Sequence, residues 1–338
     1  MGVSDFSAPD PWRVEIIVVR GGSYGAAERR ALARDVARGL LLRLRAGAHV
    51  EAAAFEALSP EGRHIVRLRA FAAVTDAPPV FSHFSAAVVL GLPVLRTRLG
   101  AVHTTVAERR ERGQEGVSAH LFPIGDDEIV DRRGLRVTDV TRTVVDIAGA
   151  APFDEGVMAA DGALHAGTPR DVLEAGAARV APRRAERRIG EAVAFAHPGA
   201  EGALESRSRV SLMRIGVEPP ELQHRLVLSG GRSVFLDFLF RSVLVGGEAD
   251  GDEKYLSPLL APRGTAQALL EEKRREDEAR AQLRGLARWG WQQGGSPAML
   301  RPVLARVGVL PARPRATLAD YCAAARSGRP RSTPLLQP

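Results

Sequence analysis

Residues Val234 to Phe240 read VFLDFLF, six apolar side chains around one carboxylate. A run this apolar is the pattern of a strand buried on both faces. A bare carboxylate there costs several kcal/mol or takes up a proton, unless a cation or hydrogen-bond donors meet it. Whatever fold the chain adopts must therefore bring a partner to Asp237. The flanking sequence predicts how. Leu222 to Leu228 reads as a strand, Ser229-Gly230-Gly231-Arg232 as a turn, and Ser233 to Phe240 as the returning strand of a hairpin. A third strand, Val243 to Glu248, follows a short turn and leads into GEADGDEK at 247–254.

Side chains two apart on a strand point the same way, so Glu248 and Asp250 are expected on one side, meeting Asp237 at one sheet end. Upstream, EGALESRSRVSLMRIG (201–216) predicts a helix ended by Gly216, with Leu204, Ser208, Ser211, Leu212 and Ile215 sharing a face and Glu205 one turn in. Oxygen-only ligands favour Mg²⁺ or Mn²⁺ over zinc. Such an ion lowers the pKa of bound water and neutralises charge on a phosphoryl oxygen. Lys254 is then expected to stabilise the pentacoordinate phosphate or position the attacking water. The competing reading is a solvated acidic turn beside one paired, buried Asp. The absence of any basic residue in VFLDFLF favours the site.

Composition narrows the class. A chain of 338 residues suggests two domains, or three, at about 100–200 residues each. Lys and Arg together number 47 against 40 acids, a net charge of +7, which suits a polyanionic partner. Only Lys254 and Lys273 are lysines, and the Arg-for-Lys usage beside abundant Ala and Gly reads as a nucleotide bias. The two lysines nonetheless fall close together, where a compact ammonium can approach a phosphate. Cys322 is the single cysteine, which excludes a disulfide framework and a cysteine-rich zinc site. No apolar run reaches about 18 residues and the amino terminus lacks a signal-peptide pattern, so the chain is expected to be cytoplasmic with no membrane partner. No Gly-rich phosphate loop, nucleophile elbow or HExxH is present, which argues against NTPase, serine hydrolase and zincin classes.

The front of the chain is expected to be mainly helical. Val14 to Val19 predicts a strand, 26–45 a helix interrupted by Gly39, and GAHVEAAAF a turn and short strand. In PVFSHFSAAVVLGLPVL, Ser82 caps a helix that Gly91 ends. His83 is read as a capping or packing residue rather than a catalytic one, since no acid or nucleophile accompanies it. In VTDVTRTVVDIAGA, Thr138 is the expected cap and Arg142 and Asp146 an exposed i,i+4 pair. Phe153 to His165 predicts a further helix, and five arginines between Arg179 and Arg188 mark a basic linker or a phosphate-touching helix.

The run from ALESRSRV through LDF, GEADGDEKY and EEKRRED to RWGW, about residues 200–310, resembles the PD-(D/E)xK nuclease superfamily, in its uncharacterised branch related to very-short-patch-repair endonucleases. RLRAGAHV, SHFSAAVVLGLP and VTDVTRTVVDIA, within 30–170, resemble the front half of AbiEi-family antitoxins, which is associated with a winged-helix DNA-binding region. The first resemblance implies Glu205 as the helical acid, Asp237 as metal-binding acid, Glu248 as second-strand acid and Lys254 as the nearby base; Asp250 is expected at the metal from the strand spacing alone. It implies nucleic-acid contacts by Lys273 and Arg274 on a helix over 266–283 and by Arg288 on a last strand that also carries Trp289 and Trp291. The chain departs from the pattern at Asp250, which stands where the superfamily lysine is found.

The expected fold is α/β (α+β). Residues 1–180 form a mainly helical, antitoxin-like part with a degenerate winged helix, 181–200 a basic linker, 201–310 a restriction-endonuclease-like mixed-sheet domain and 311–338 a loose Pro/Arg-rich tail. The expected function is Mg²⁺- or Mn²⁺-dependent DNA cleavage. The alternative is an inactive DNA-binding regulator, or the antitoxin of a type IV-like pair with a toxin partner.

Overall fold

The computed structural model describes residues 9–19, 24–106, 114–180, 185–228, 231–250, 278 and 281–327. The fold is α/β, with helices beside antiparallel and mixed sheets. The chain divides into two compact units, Met1–Ile147 and Ala148–Pro338. No helix among the described residues is long and apolar enough to cross a membrane.

The first unit opens with β1 (Ile17–Val18), α1 (Ala26–Ala37), β2 (Leu41–Arg45), β3 (Ala48–Glu51), α2 (Ala52–Glu56) and α3 (Pro60–Val74). The strands form an antiparallel sheet in the order β1-β3-β2. The helix expected over 26–45 stops at Ala37. Gly39 takes φ +72°, a turn that releases the chain into β2. The alternation in Leu41-Leu42-Arg43-Leu44-Arg45 then places Leu42 and Leu44 against Val14, Val50, Phe55, Leu58 and Val66. Period-two patterning over five residues prevailed over helix propensity.

The unit is also less helical than expected, because a second sheet follows. It contains β4 (Val80–Phe81), β5 (Val102–Val106), β6 (Val117–Leu121), β7 (Ile129–Arg132) and β8 (Leu135–Thr138) in the order β6-β5-β4-β8-β7. The β5–β6 and β4–β8 pairs are parallel, the others antiparallel. α4 (His83–Leu90) ends at Gly91 with φ +75°, as its sequence predicts. Ala86 of α4 joins Leu68, Phe71, Phe81, Val102, Leu135 and Val137 in the core.

α5 (Val140–Ala150) corrects two expectations. Its cap is Asp139, whose Oδ1 accepts from the Arg142 amide at 2.6 Å, while Thr138 ends β8 and bonds the Thr143 hydroxyl. The Arg142–Asp146 pair is present at 2.8 Å, but buried, with only 2% of the Arg142 side chain exposed.

The second unit contains α6 (Phe153–His165), α7 (Arg170–Val180), α8 (Glu186–Phe195), α9 (Ala203–Ile215), β9 (Glu221–Val227), β10 (Ser233–Phe240), β11 (Val245–Ala249), β12 (Gly285–Trp289), α10 (Trp291–Gly294), α11 (Pro297–Arg306) and α12 (Leu318–Ser327). Its sheet runs β12-β11-β10-β9, antiparallel except for the parallel β11–β12 edge. Residues 186–195 of the expected linker form α8, which buries Ile189, Ala192, Val193 and Phe195, and the division between units falls at 147/148. Arg209 of α9 holds Asp161 of α6 through two bonds of 3.0 and 2.9 Å, both side chains buried.

Nor is the tail loose as far as Ser327. Tyr321 of α12 stacks on Phe195 at 5.4 Å and its hydroxyl donates to the Val217 carbonyl at 3.3 Å. Trp289 and Trp291 also part company. Trp289 is buried in β12, whereas Trp291 begins α10, 38% exposed, with the Arg207 guanidinium 4.7 Å above its ring.

Candidate active site

α9 delivers Glu205 from its first turn, and β10, β11 and the residue just past β11 deliver Asp237, Glu248 and Asp250. Two contacts seat the helix on the sheet edge. The Trp289 indole donates to the Ser208 hydroxyl at 2.8 Å, and the Ser211 hydroxyl donates to the Gly294 carbonyl at 2.8 Å. The glycines before Glu248 make room for this packing. A Cβ on Gly247 would lie 2.6 Å from the Trp289 ring, and one on Gly246 would lie 2.8 Å from Leu286.

Asp237 receives the partners that its apolar strand demands. Its Oδ2 accepts from the Ala249 amide at 2.8 Å and its Oδ1 from the Gln223 side-chain amide at 3.4 Å. Gln223 sits at φ +49°, a backbone kink within β9 that interrupts the register opposite Asp237. The strand is not covered on both faces: Phe235 is 45% exposed. Burial still raises the Asp237 pKa, and the charges of Asp250 and Glu201 add to it.

Glu205 is more strongly shifted. Burial, with help from the Asp237 and Glu201 charges, pushes it up to about 8, against the opposing hydrogen bond from the Glu201 amide at 2.9 Å. It is a protonated carboxyl at neutral pH. Glu248 is also raised by burial, and by Asp250 and Asp237, while Arg288 lowers it. Arg288 stands opposite Glu248 in the parallel β11–β12 register, its Nε 2.6 Å from Glu248 Oε2 and 4.0 Å from Asp250 Oδ2.

The four acids expected at one sheet end thus act on one another electrostatically. Glu201 and Gln223, which belong to the same cluster, were not singled out in the sequence. Glu201 follows from its position one turn before Glu205, but Gln223 depends on cross-strand register. Arg288 faces the carboxylates. Lys254, Lys273 and Arg274 lie outside the described residues.

The donors are all oxygen and mutually repulsive, which is the chemistry that suits a hard divalent cation. Their spacing is looser than a finished cage. Among the described residues, no three His, Cys, Asp or Glu side chains are grouped closely enough to hold an ion. The carboxylates are occupied instead by Ala249, Gln223 and Arg288. Comparison of the chain with protein-family models and with curated proteins finds no match, so its site is defined by this geometry alone.

Proposed function

We propose that the chain is a metal-dependent DNA endonuclease whose site is the carboxylate cluster of the second unit. The observation that carries this reading is the half-buried group of Glu205, Asp237 and Glu248 with raised pKa values on α9, β10 and β11. Such a group stores electrostatic cost that a cation relieves, and clefts that hold several perturbed carboxylates are frequent sites of chemistry. Asp237, Glu248 and Asp250 are the residues that would hold Mg²⁺ or Mn²⁺. The ion would supply charge neutralisation at phosphate and a more acidic water. Glu205, protonated at neutral pH, is placed to hold or donate a proton beside Asp237. Arg288 offers a guanidinium for phosphate, and Lys254, Lys273 and Arg274 complete the proposed basic set.

The first unit is read as the part that positions DNA. Arg29, Arg30 and Arg34 are exposed on α1, with exposed Arg38 just past it and the β2–β3 hairpin following. This helix–hairpin order is what a degenerate winged helix retains. Phosphate contacts of that kind release counterions and weaken with salt.

The decisive experiment incubates supercoiled plasmid and mismatched duplex with the protein, in Mg²⁺ or Mn²⁺ and in EDTA, beside D237N. Metal-dependent nicking that D237N abolishes is expected. Intact DNA, together with no metal-induced change in melting temperature, would overturn the reading.

One observation favours a second reading. Asp250 replaces a lysine that the resembled nucleases use, and Arg288 already neutralises Glu248. On that basis the chain is a DNA-binding regulator, or an antitoxin paired with a toxin, whose nuclease-like unit grips DNA without cutting it. Binding that is equal in Mg²⁺ and EDTA, without nicking, is its signature.

A further inference from the structure

Three of the five histidines of the first unit, His83, His103 and His120, cluster on its five-stranded sheet. His83 lies over His120 with ring centroids 3.5 Å apart and planes 13° from parallel, and His103 lies beside His120, its centroid 5.3 Å away and its plane also 13° from parallel. His103 and His120 come from the parallel strands β5 and β6, where Thr105 is opposite His120. Side chains two apart on a strand share a face. His103 therefore stands on the same face as His120, one diagonal step along. The two rings meet edge to edge, His103 Nδ1 lying 3.0 Å from His120 Nε2. Both are half-buried, within reach of solvent.

We propose that His103 and His120 form a two-imidazole chelate for a late first-row divalent cation of the Zn²⁺, Ni²⁺ or Cu²⁺ type, in a different unit from the carboxylate cluster. Two imidazole nitrogens bound about 2.0–2.1 Å from one ion lie about 2.9–3.4 Å apart at ligand angles between square and tetrahedral. The two nitrogens, now joined by a hydrogen bond of 3.0 Å, already stand at about that separation. A swing of each ring about χ2 turns both lone pairs toward one ion. No net proton is lost, because the N–H now between the rings moves by tautomerisation to the outward nitrogen of its own ring. Among the described residues no third His, Cys, Asp or Glu completes a cage, so water fills the remaining positions.

The surroundings carry both signs: Arg142 is buried between Glu128 at 3.0 Å and Asp146 at 2.8 Å, while the Arg98 charge acts on His103. Asp146 Oδ2 is buried with no hydrogen-bond partner among the described residues and stands 3.8 Å from His83 Nδ1. His83 holds φ +51°, a strained position for a side chain of this size, and backs the His120 ring. The scaffold orients His103 as well: its amide donates to the Ser85 hydroxyl at 2.8 Å, and Phe84 meets its ring edge-on at 5.3 Å. Burial lowers the pKa of both chelating rings, His103 to about 4, so neutral imidazoles are available at neutral pH. Imidazole pairs select Zn²⁺, Ni²⁺ and Cu²⁺, whereas Mg²⁺ prefers oxygen.

The test is calorimetric titration of full-length protein, free of any affinity tag, with NiCl₂ and ZnCl₂ in a non-chelating buffer. Wild type is compared with H103Q, H120Q and D237N. In excess Mg²⁺, which competes for the carboxylate cluster, a one-to-one component is expected that H103Q or H120Q weakens at least tenfold and D237N leaves in place. Equal binding by wild type and H120Q, or binding that D237N removes, would overturn the proposal. Should a histidine variant fail to fold, the Cu²⁺ EPR spectrum of wild type decides. Superhyperfine splitting from two nitrogens is expected, and an all-oxygen spectrum overturns the chelate.

Discussion

At the scale of single residues, the most exacting environment belongs to Glu205. Its pKa of about 8 lies above the ordinary 4.5, so between those values the folded chain keeps a proton that the unfolded chain has lost. Its contribution to stability is complete below about pH 4.5 and disappears as pH rises through 8. Urea unfolding from pH 6 to 9 is expected to show wild type losing stability and E205Q losing less, the difference growing toward alkali. Asp161 is a second buried acid, and it is paired with a cation. Its carboxylate holds Arg209 through two bonds and accepts the His197 amide at 2.8 Å, while Arg209 also donates to the Phe195 carbonyl at 2.7 Å. Removing one partner leaves an uncompensated buried charge, so R209M is expected to cost about 3–5 kcal/mol in chemical denaturation.

At the scale of elements, α3, α4 and the strands β5 and β6 carry an opposite pH response. Burial depresses His64 to about 4, His83 to about 2 and His103 to about 4, and lowers His120 as well. Each stays neutral when folded and gains a proton when unfolded below about 6.5, so the stability they support is present above that pH and is lost as pH falls. Each such histidine adds about 1.4 kcal/mol per pH unit to the slope. Asp146, raised to about 6 mainly by burial, works against them by losing stability as pH rises. With these four bases and His49, which burial also lowers, against one raised acid, the net slope favours higher pH. H83Q is expected to make the acid limb of the stability–pH curve shallower by about one proton, read from the pH dependence of the urea midpoint.

At the scale of the whole molecule these responses fall on different units. The five depressed histidines, His49, His64, His83, His103 and His120, lie in Met1–Ile147, and Glu205 lies in Ala148–Pro338. His197, at about 3, gives the second unit a smaller acid sensitivity. Hydrogen exchange followed by mass spectrometry is expected to report first-unit opening at pH 5 and second-unit opening at pH 9. DNA binding belongs to this scale too. If exposed arginines of α1 carry phosphate contacts, log affinity falls linearly with log salt, and each removed contact lowers the slope by about 0.9. R30Q and R34Q together are expected to flatten that slope measurably in fluorescence anisotropy.

Much of the second unit was legible locally. The helix from Ala203 to Ile215 and the strand from Ser233 to Phe240 stand where their periodicity places them, since a helix cap and a two-residue alternation are properties of adjacent residues. Glu205, Asp237 and Glu248 could therefore be read as neighbours from the chain alone. Three things were decided only in three dimensions. The partners of Asp237 are a backbone amide on β11 and a kinked Gln223 on β9, both set by strand register. Arg288 meets Glu248 across a parallel pairing between residues 40 apart. The histidine stack joins α4, β5 and β6 through a five-stranded sheet of strands two to five residues long, each too short to announce itself. Local patterning selects which elements form, because hydrogen bonds and apolar faces repeat over a few residues. Tertiary packing selects which charges meet, because burial and register depend on segments that the chain brings together only when it folds.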